Sequence, residues 1–156
     1  MEESNISFTS GDNKFNFRVA AFITHKNNVL VEKAFDFYNL PGGRVHMGES
    51  SQDALLRELR EEMNFTPKKF KLIQVCENFF DWMGKHQQEM LYIYHIPLDE
   101  TSPLVKKNNF KCADNEKEIF YWRRFDEIKD MKCLPECIYD LVERSDHSNI
   151  THSITR

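Results

Sequence analysis

Glu58, Glu61 and Glu62 lie within the stretch GGRVHMGESSQDALLRELREEMNF, residues 42–65, at the i, i+3, i+4 spacing. On a helix that spacing points three carboxylates the same way within one turn. Left alone, like charges so placed repel. A divalent cation turns the repulsion into coordination, and hard oxygen donors suit Mg²⁺ or Mn²⁺ better than zinc. For three glutamates by themselves the ordinary alternative is a solvated charged face, neutralised in part by Arg57 and Arg60. The context favours chemistry. Pro41-Gly42-Gly43 precedes the segment and Glu49 stands at its entrance. Gly42 and Gly43 let a ligand approach the main chain closely, so a glycine turn beside a carboxylate helix suits a diphosphate held through a metal.

The elements that must position these residues are legible in outline. Residues 50–63 predict a helix. Ser50 or Ser51 can cap it, Asp53 suits the positive end of its dipole, and Leu55, Leu56, Leu59 and Met63 form an apolar stripe. Asn64 follows, a residue that tolerates the left-handed conformation past a helix end, and Pro67 prevents continuation. Upstream, alternation over 15–23 predicts a strand, HKNN at 25–28 a turn and 29–33 a second strand, together a hairpin. Residues 38–41 form a short extended piece. Residues 70–80, 89–97 and 119–125 are strand-like, with 81–88 a loop between the first two. A C-terminal helix is expected over about 135–144. Strands interleaved with two helices predict a mixed α/β (α+β) domain over 15–144, helices packed on the sheet faces. The polar segments 1–14 and 145–156 are expected to be loose.

Composition narrows the class. The chain has 156 residues, 40% hydrophobic and 29% charged, which fits one folding, water-soluble domain. No apolar run approaches the roughly 20 residues that span a bilayer, and no signal-peptide pattern opens the chain. The net charge of −4 argues against a duplex nucleic-acid binder, which needs a basic face. Cys76, Cys112, Cys133 and Cys137 form no zinc-ligand spacing. Reduced packing thiols in a cytoplasmic protein are the simple reading.

The charged positions also resemble a known pattern. The Nudix box reads G-x5-E-x7-R-E-U-x-E-E-x-G-U, with U bulky and aliphatic. Here Gly43 is followed at that spacing by Glu49, Arg57-Glu58-Leu59, Glu61-Glu62, Met63, Asn64 and Phe65. Two positions depart: Asn64 replaces the glycine, and Phe65 is aromatic. The resemblance covers about two dozen residues directly, and the flanking strands are compatible with the α/β/α sandwich of the family. It implies Mg²⁺, with Mn²⁺ as a substitute, held by Glu58, Glu61, Glu62, Glu49 and the Gly43 carbonyl. It implies that Arg57 orients a box carboxylate, and that Leu55, Leu59 and Phe65 are core.

For a MutT-like member the implied activity is hydrolysis of a phosphoanhydride in a nucleoside diphosphate linked to a further group. Metal-bound water would attack and a carboxylate would take its proton. Glu61 is the first candidate for that carboxylate, with Glu89, Glu116 and Glu118 as alternatives. The SQPWPFP signature of NADH enzymes is absent, and Glu77-Asn78-Phe79-Phe80-Asp81 lacks the proline of many ADP-ribose enzymes. A nucleoside triphosphate, oxidised or not, is the remaining reading. Gly42, Gly43 and Arg44 are expected to meet its phosphates. Phe80 and Trp82, with Phe79 and Trp122 as further candidates, are expected to hold its base by stacking. His46 and His86 lie in loops that could reach a phosphate. The competing reading is a sensing module that binds nucleotide without turnover. A homodimer is expected from the family alone.

Overall fold

The computed structural model describes residues 4–156, so the first three residues of the expected loose N-terminal segment lie outside the described residues. Strands β1 (Ser7–Ser10), β2 (Asn13–His25), β3 (Asn28–Ala34), β4 (Phe37–Asn39) and β5 (Gly42–Arg44) precede helix α1 (Ser51–Met63). Strands β6 (Lys71–Trp82) and β7 (Lys85–Pro97), a 3₁₀ turn (Pro103–Lys106), β8 (Asn109–Lys111) and β9 (Ile119–Arg124) follow. The chain continues through α2 (Phe125–Ile128), β10 (Cys133–Leu134), α3 (Cys137–Glu143) and β11 (Thr151–Thr155). The strands form one mixed sheet whose main path runs β10-β4-β3-β2-β7-β6-β11. β2 runs parallel to β7, and β6 parallel to β11.

Two apolar layers flank the sheet, as the alternation of β2 requires. Val19, Ala21 and Ile23 face α1 through Ala54, Leu55, Leu59 and Met63. Ala20 and Phe22 face α2 and α3 through Ile128, Cys137, Ile138 and Leu141. The result is the expected α/β/α sandwich. All four cysteines are buried and unpaired. Among the described residues no helix is long and apolar enough to cross a membrane.

α1 ends where its caps dictate. Ser50 Oγ accepts from the Asp53 amide at 3.1 Å, and Asp53 reaches back to the Ser50 amide at 3.3 Å. Asn64 adopts φ +49° and closes the helix on the Arg60 carbonyl.

Several expectations need correcting. β2 and β3 pair only at their tip, Thr24–Val29 and His25–Asn28. Beyond it the Pro41-Gly42-Gly43 turn lays β5 along Arg18–Ala20, and β3 pairs instead with β4 on that edge, while β9 runs along its other edge. The loop expected at 81–88 contracts to Met83-Gly84, both at positive φ, which lets the β6 and β7 ladder run on to Trp82–Lys85. The C-terminal helix covers Cys137–Glu143 and not the full 135–144. The segments expected to be loose contain β1 and β11. β11 buries few side chains, yet it pairs residue for residue with Gln74–Asn78, and Ser153 accepts from Gln74 Nε2 at 2.7 Å. Backbone pairing, invisible to hydropathy, orders this segment.

Candidate active site

The glycine turn and α1 meet through direct close approach. A Cβ on Gly42 would lie 2.0 Å from the Val19 carbonyl oxygen, and one on Gly43 would lie 2.2 Å from Glu58 Oε1. Gly42 therefore allows β5 to seat on β2, while Gly43 leaves the room that the Glu58 carboxylate fills. Arg57 organises the acids around this point. Its Nε and Nη2 donate to the two oxygens of Glu49 at 2.6 and 3.0 Å. Nη1 donates to Glu58 at 2.8 Å and, more weakly, to Glu61 at 3.4 Å. Nη2 also reaches the Arg44 carbonyl at 2.9 Å. Glu49, which further accepts the His46 amide, is pulled down to about 2, chiefly by the Arg57 hydrogen bond.

Behind this fork lies a buried acidic group that the box spacing only partly reveals. Glu62 is 7% exposed and its Oε2 has no hydrogen-bond partner. Burial, followed by the charges of Glu58, Asp114 and Glu118, pushes its pKa up to about 9. Glu32, on β3, is also buried, and burial with a hydrogen bond to Glu118 raises it strongly. Burial raises Glu58 too, against the opposing pull of Arg57. Arg18 faces the same group and favours the ionised forms of Glu32, Glu58 and Glu62. Glu61 sits at the outer rim, its side chain 43% exposed.

Among the described residues no three acidic, histidine or cysteine side chains are drawn together tightly enough to hold an ion as they stand. The donor set nevertheless fits a hard divalent cation. Carboxylates whose ionised form is disfavoured first by burial and then by one another's charge, one with an orphaned buried oxygen, are what a cation would relieve. Glu58 and Glu62, with Glu61 on the same turn of α1, are the residues that would hold it.

A cleft of about 910 Å³ opens on the sheet face that carries Ala20 and Leu91; Arg18 belongs both to its lining and to the surroundings of the acidic group, whereas Glu49, Arg57, Glu58, Glu61 and Glu62 stand outside the lining. Its floor is a polar row crossing four adjacent strands. Thr155 donates to Asn78 Oδ1, Asn78 Nδ2 donates to Glu89 at 3.3 Å, and Glu89 faces Arg18 Nε at 3.8 Å. Arg44 enters the cleft with Nε fixed at 3.0 Å on the buried Asn16. Arg156 lies over the Phe79 ring, 4.7 Å from its centroid.

Of the residues singled out from sequence, Arg44, Phe79, Phe80, Trp82, His86 and Glu89 line the cleft. Gly42 and Gly43 stand outside its lining, against β2 and α1. Trp122 points to the other core and donates to the Leu104 carbonyl at 3.0 Å. Glu118 joins the acidic group through Glu32, whereas Glu116 lies exposed on the β8–β9 loop. Arg18, Glu32, Asn16 and Asn78 escaped sequence reasoning. A charge amid the apolar run VLVEK was the one local sign of Glu32.

The comparisons agree with this geometry. A family model for the NUDIX domain matches residues 14–143. A 40-residue stretch is 45% identical to the 8-oxo-dGTP diphosphatase of Escherichia coli (strain K12), covering 26% of this chain and 31% of that protein. Over 122 residues the chain is 29% identical to the RNA pyrophosphohydrolase of Ruthia magnifica subsp. Calyptogena magnifica, covering 69% of this chain and 68% of the relative. The fold is similar to the crystal structure of a mutator MutT protein from Bacillus halodurans, with a TM-score of 0.68 at 16% identity, over 90% of this chain and 89% of that one. With the capped carboxylate helix, its glycine turn and the sandwich around them all in place, the chain belongs to the NUDIX domain family.

Proposed function

We propose that this protein is a divalent-metal-dependent hydrolase that cleaves a phosphoanhydride bond in a nucleoside triphosphate, oxidised or not, or in a related nucleotide. The observation that carries the reading is the buried Glu62 carboxylate with its orphaned oxygen, close to the Gly43–Glu58 contact, with Arg18 acting both on this acidic group and as part of the lining of a cleft of nucleotide size. The names of the relatives, an 8-oxo-dGTP diphosphatase and an RNA pyrophosphohydrolase, support the same chemistry.

Glu58, Glu61, Glu62 and the Gly43 carbonyl would hold the cation, Mg²⁺ or Mn²⁺, with Glu49, both of whose oxygens accept from Arg57, as a further or orienting carboxylate. When bound, the ion acidifies water and neutralises phosphoryl oxygens. The chain supplies the rest. Arg57 fixes Glu49 and Glu58 so that the acidic face is presented in one arrangement. Arg18 and Arg44 enter the cleft as cations for the phosphate chain. Glu61, at the solvent-facing rim, orients the attacking water or takes its proton. Glu89 and Glu118 are the alternatives for that proton, Glu89 because it lies on the cleft floor and Glu118 because it joins the acidic group.

The test is a product assay with Mg²⁺ and then Mn²⁺ on canonical and 8-oxo nucleoside triphosphates, ADP-ribose, NADH, diadenosine polyphosphates and nucleotide sugars. Turnover that requires metal is expected, falling at least a hundredfold in Glu61→Gln if that residue handles the proton. Undiminished turnover in Glu61→Gln with loss in Glu89→Gln or Glu118→Gln would reassign the base. Tight nucleotide binding with no product would point instead to a sensing module.

A further inference from the structure

Phe35 occupies a costly position. It is the first residue of the two-residue turn between β3 and β4 and adopts φ +52°, a conformation for which hairpin turns use glycine or asparagine. Its side chain is 78% exposed. Neither the strain nor the exposed ring serves the core: Phe35 belongs to neither apolar layer. The ring does have neighbours. It lies 5.4 Å from Trp82 and 6.4 Å from Phe37, with Phe37 edge-on to Trp82 at 5.9 Å. Phe35 and Phe37 come from the β3–β4 hairpin, and Trp82 from the tip of the β6–β7 hairpin. Two hairpin tips that are distant in sequence thus meet in aromatic contact, and all three rings line the cleft that holds Arg18, Arg44 and Glu89. Trp82 itself remains 39% exposed, so ring surface is still open. The flanking charges pair with one another: Lys132 with Asp36 at 3.0 Å and His86 with Asp81 at 2.6 Å.

We infer that Phe35, Phe37 and Trp82, packed against one another, form an aromatic clamp at the mouth of the cleft that takes the nucleobase of the substrate by one face. This rests on the nucleotide-hydrolase reading above and adds to it a base subsite built from both hairpin tips. Strain at an exposed aromatic is a mark of ligand clamps. Every base has a π-face, and stacking on aromatic side chains is therefore tolerant of base identity. The charged groups nearest the rings are engaged with each other, so the rings supply stacking and leave the reading of base edges to other groups of the cleft, such as Asn39, whose buried Oδ1 has no hydrogen-bond partner among the described residues. It follows that purine and pyrimidine nucleoside triphosphates alike gain affinity from the rings.

The test exploits the strain. Phe35→Gly removes the ring and relieves the backbone, whereas Phe35→Tyr keeps the ring. Binding is read from tryptophan emission with Ca²⁺ in place of Mg²⁺, titrating ATP, GTP and CTP, with inorganic tripolyphosphate as the base-free probe. Thermal melting and sedimentation are measured on the same samples. The expected result is quenching by all three nucleotides and not by tripolyphosphate. In Phe35→Gly, Kd rises about tenfold while Tm is equal or higher, and Phe35→Tyr restores binding. In Mg²⁺ assays the loss should appear in KM with kcat kept. Unchanged nucleotide affinity in Phe35→Gly overturns the clamp. So does a dimer that Phe35→Gly dissociates, which would make the rings a subunit contact. If the parent protein neither binds nor hydrolyses any nucleotide, the nucleotide reading itself has failed, a result distinct from a clamp that has no effect on binding.

Discussion

Gly42 and Gly43 are chemically identical neighbours with different duties, and substitution should separate them. In Gly42→Ala the new methyl meets the Val19 main chain, which cannot step aside, so a loss of about 1–3 kcal/mol is expected in chemical denaturation. In Gly43→Ala the methyl meets the Glu58 carboxylate, which can swing away. The expected outcome is a near-normal melting curve with hydrolysis reduced at least a hundredfold. Glu62 gives a prediction in pH. Its folded pKa of about 9 stands above its ordinary value of 4.5. Between those values the unfolded chain gives up a proton that the folded chain keeps, and stability therefore falls as pH rises through that window. In chelator, Tm should decline from pH 5 toward pH 9, and Mg²⁺ should raise it most at the alkaline end. A flat profile with no response to Mg²⁺ would remove Glu62 from the metal set. Glu58, Glu61 and Glu62 were legible because one helix fixes their spacing. Glu32 and Arg18 were not, because their place in the acidic group depends on strand register, which no local pattern encodes.

At the level of elements, α1 is the piece most completely written in its own residues. Ser50 caps it, Asp53 closes the capping box and Asn64 stops it at φ +49°. The departure of Asn64 from the family glycine is thus conformationally mild. Asn64→Gly should change stability by less than about 1 kcal/mol and keep activity, whereas the β-branched Asn64→Val should destabilise measurably, both read by denaturant melts. The hairpin 15–33 was half legible. Alternation located both strands, but their partners were decided by the Pro41-Gly42-Gly43 turn inserting β5 and by β9 arriving from nearly ninety residues downstream. β11 was the element least visible. Its sequence THSIT carries little to bury, and its order comes from main-chain pairing with β6 together with hydroxyl and amide contacts. Phe35 and Phe37 passed unnoticed for a related reason: they gain meaning only when a second hairpin brings Trp82 to them.

Across the whole molecule, two apolar layers hold a single mixed sheet, with the acidic group at the margin of one layer and the cleft cut into the other. The polar row from Arg18 through Glu89 and Asn78 to Thr155 spans the floor of that cleft, so the last strand forms part of the wall against which substrate would lie. Replacing Asn78 with Leu should leave Glu89 without that donor and raise KM several-fold, a change that steady-state kinetics would detect. β11 also lies outside the matched family region, residues 14–143. That has a practical consequence for anyone trimming the chain to its recognisable core. A protein ended at residue 150 would uncover the edge of β6 over Gln74–Asn78, leaving its amide and carbonyl groups without strand partners. Such an edge is a template for another copy of itself, and the shortened protein should self-associate in light scattering at concentrations where the full chain stays dispersed.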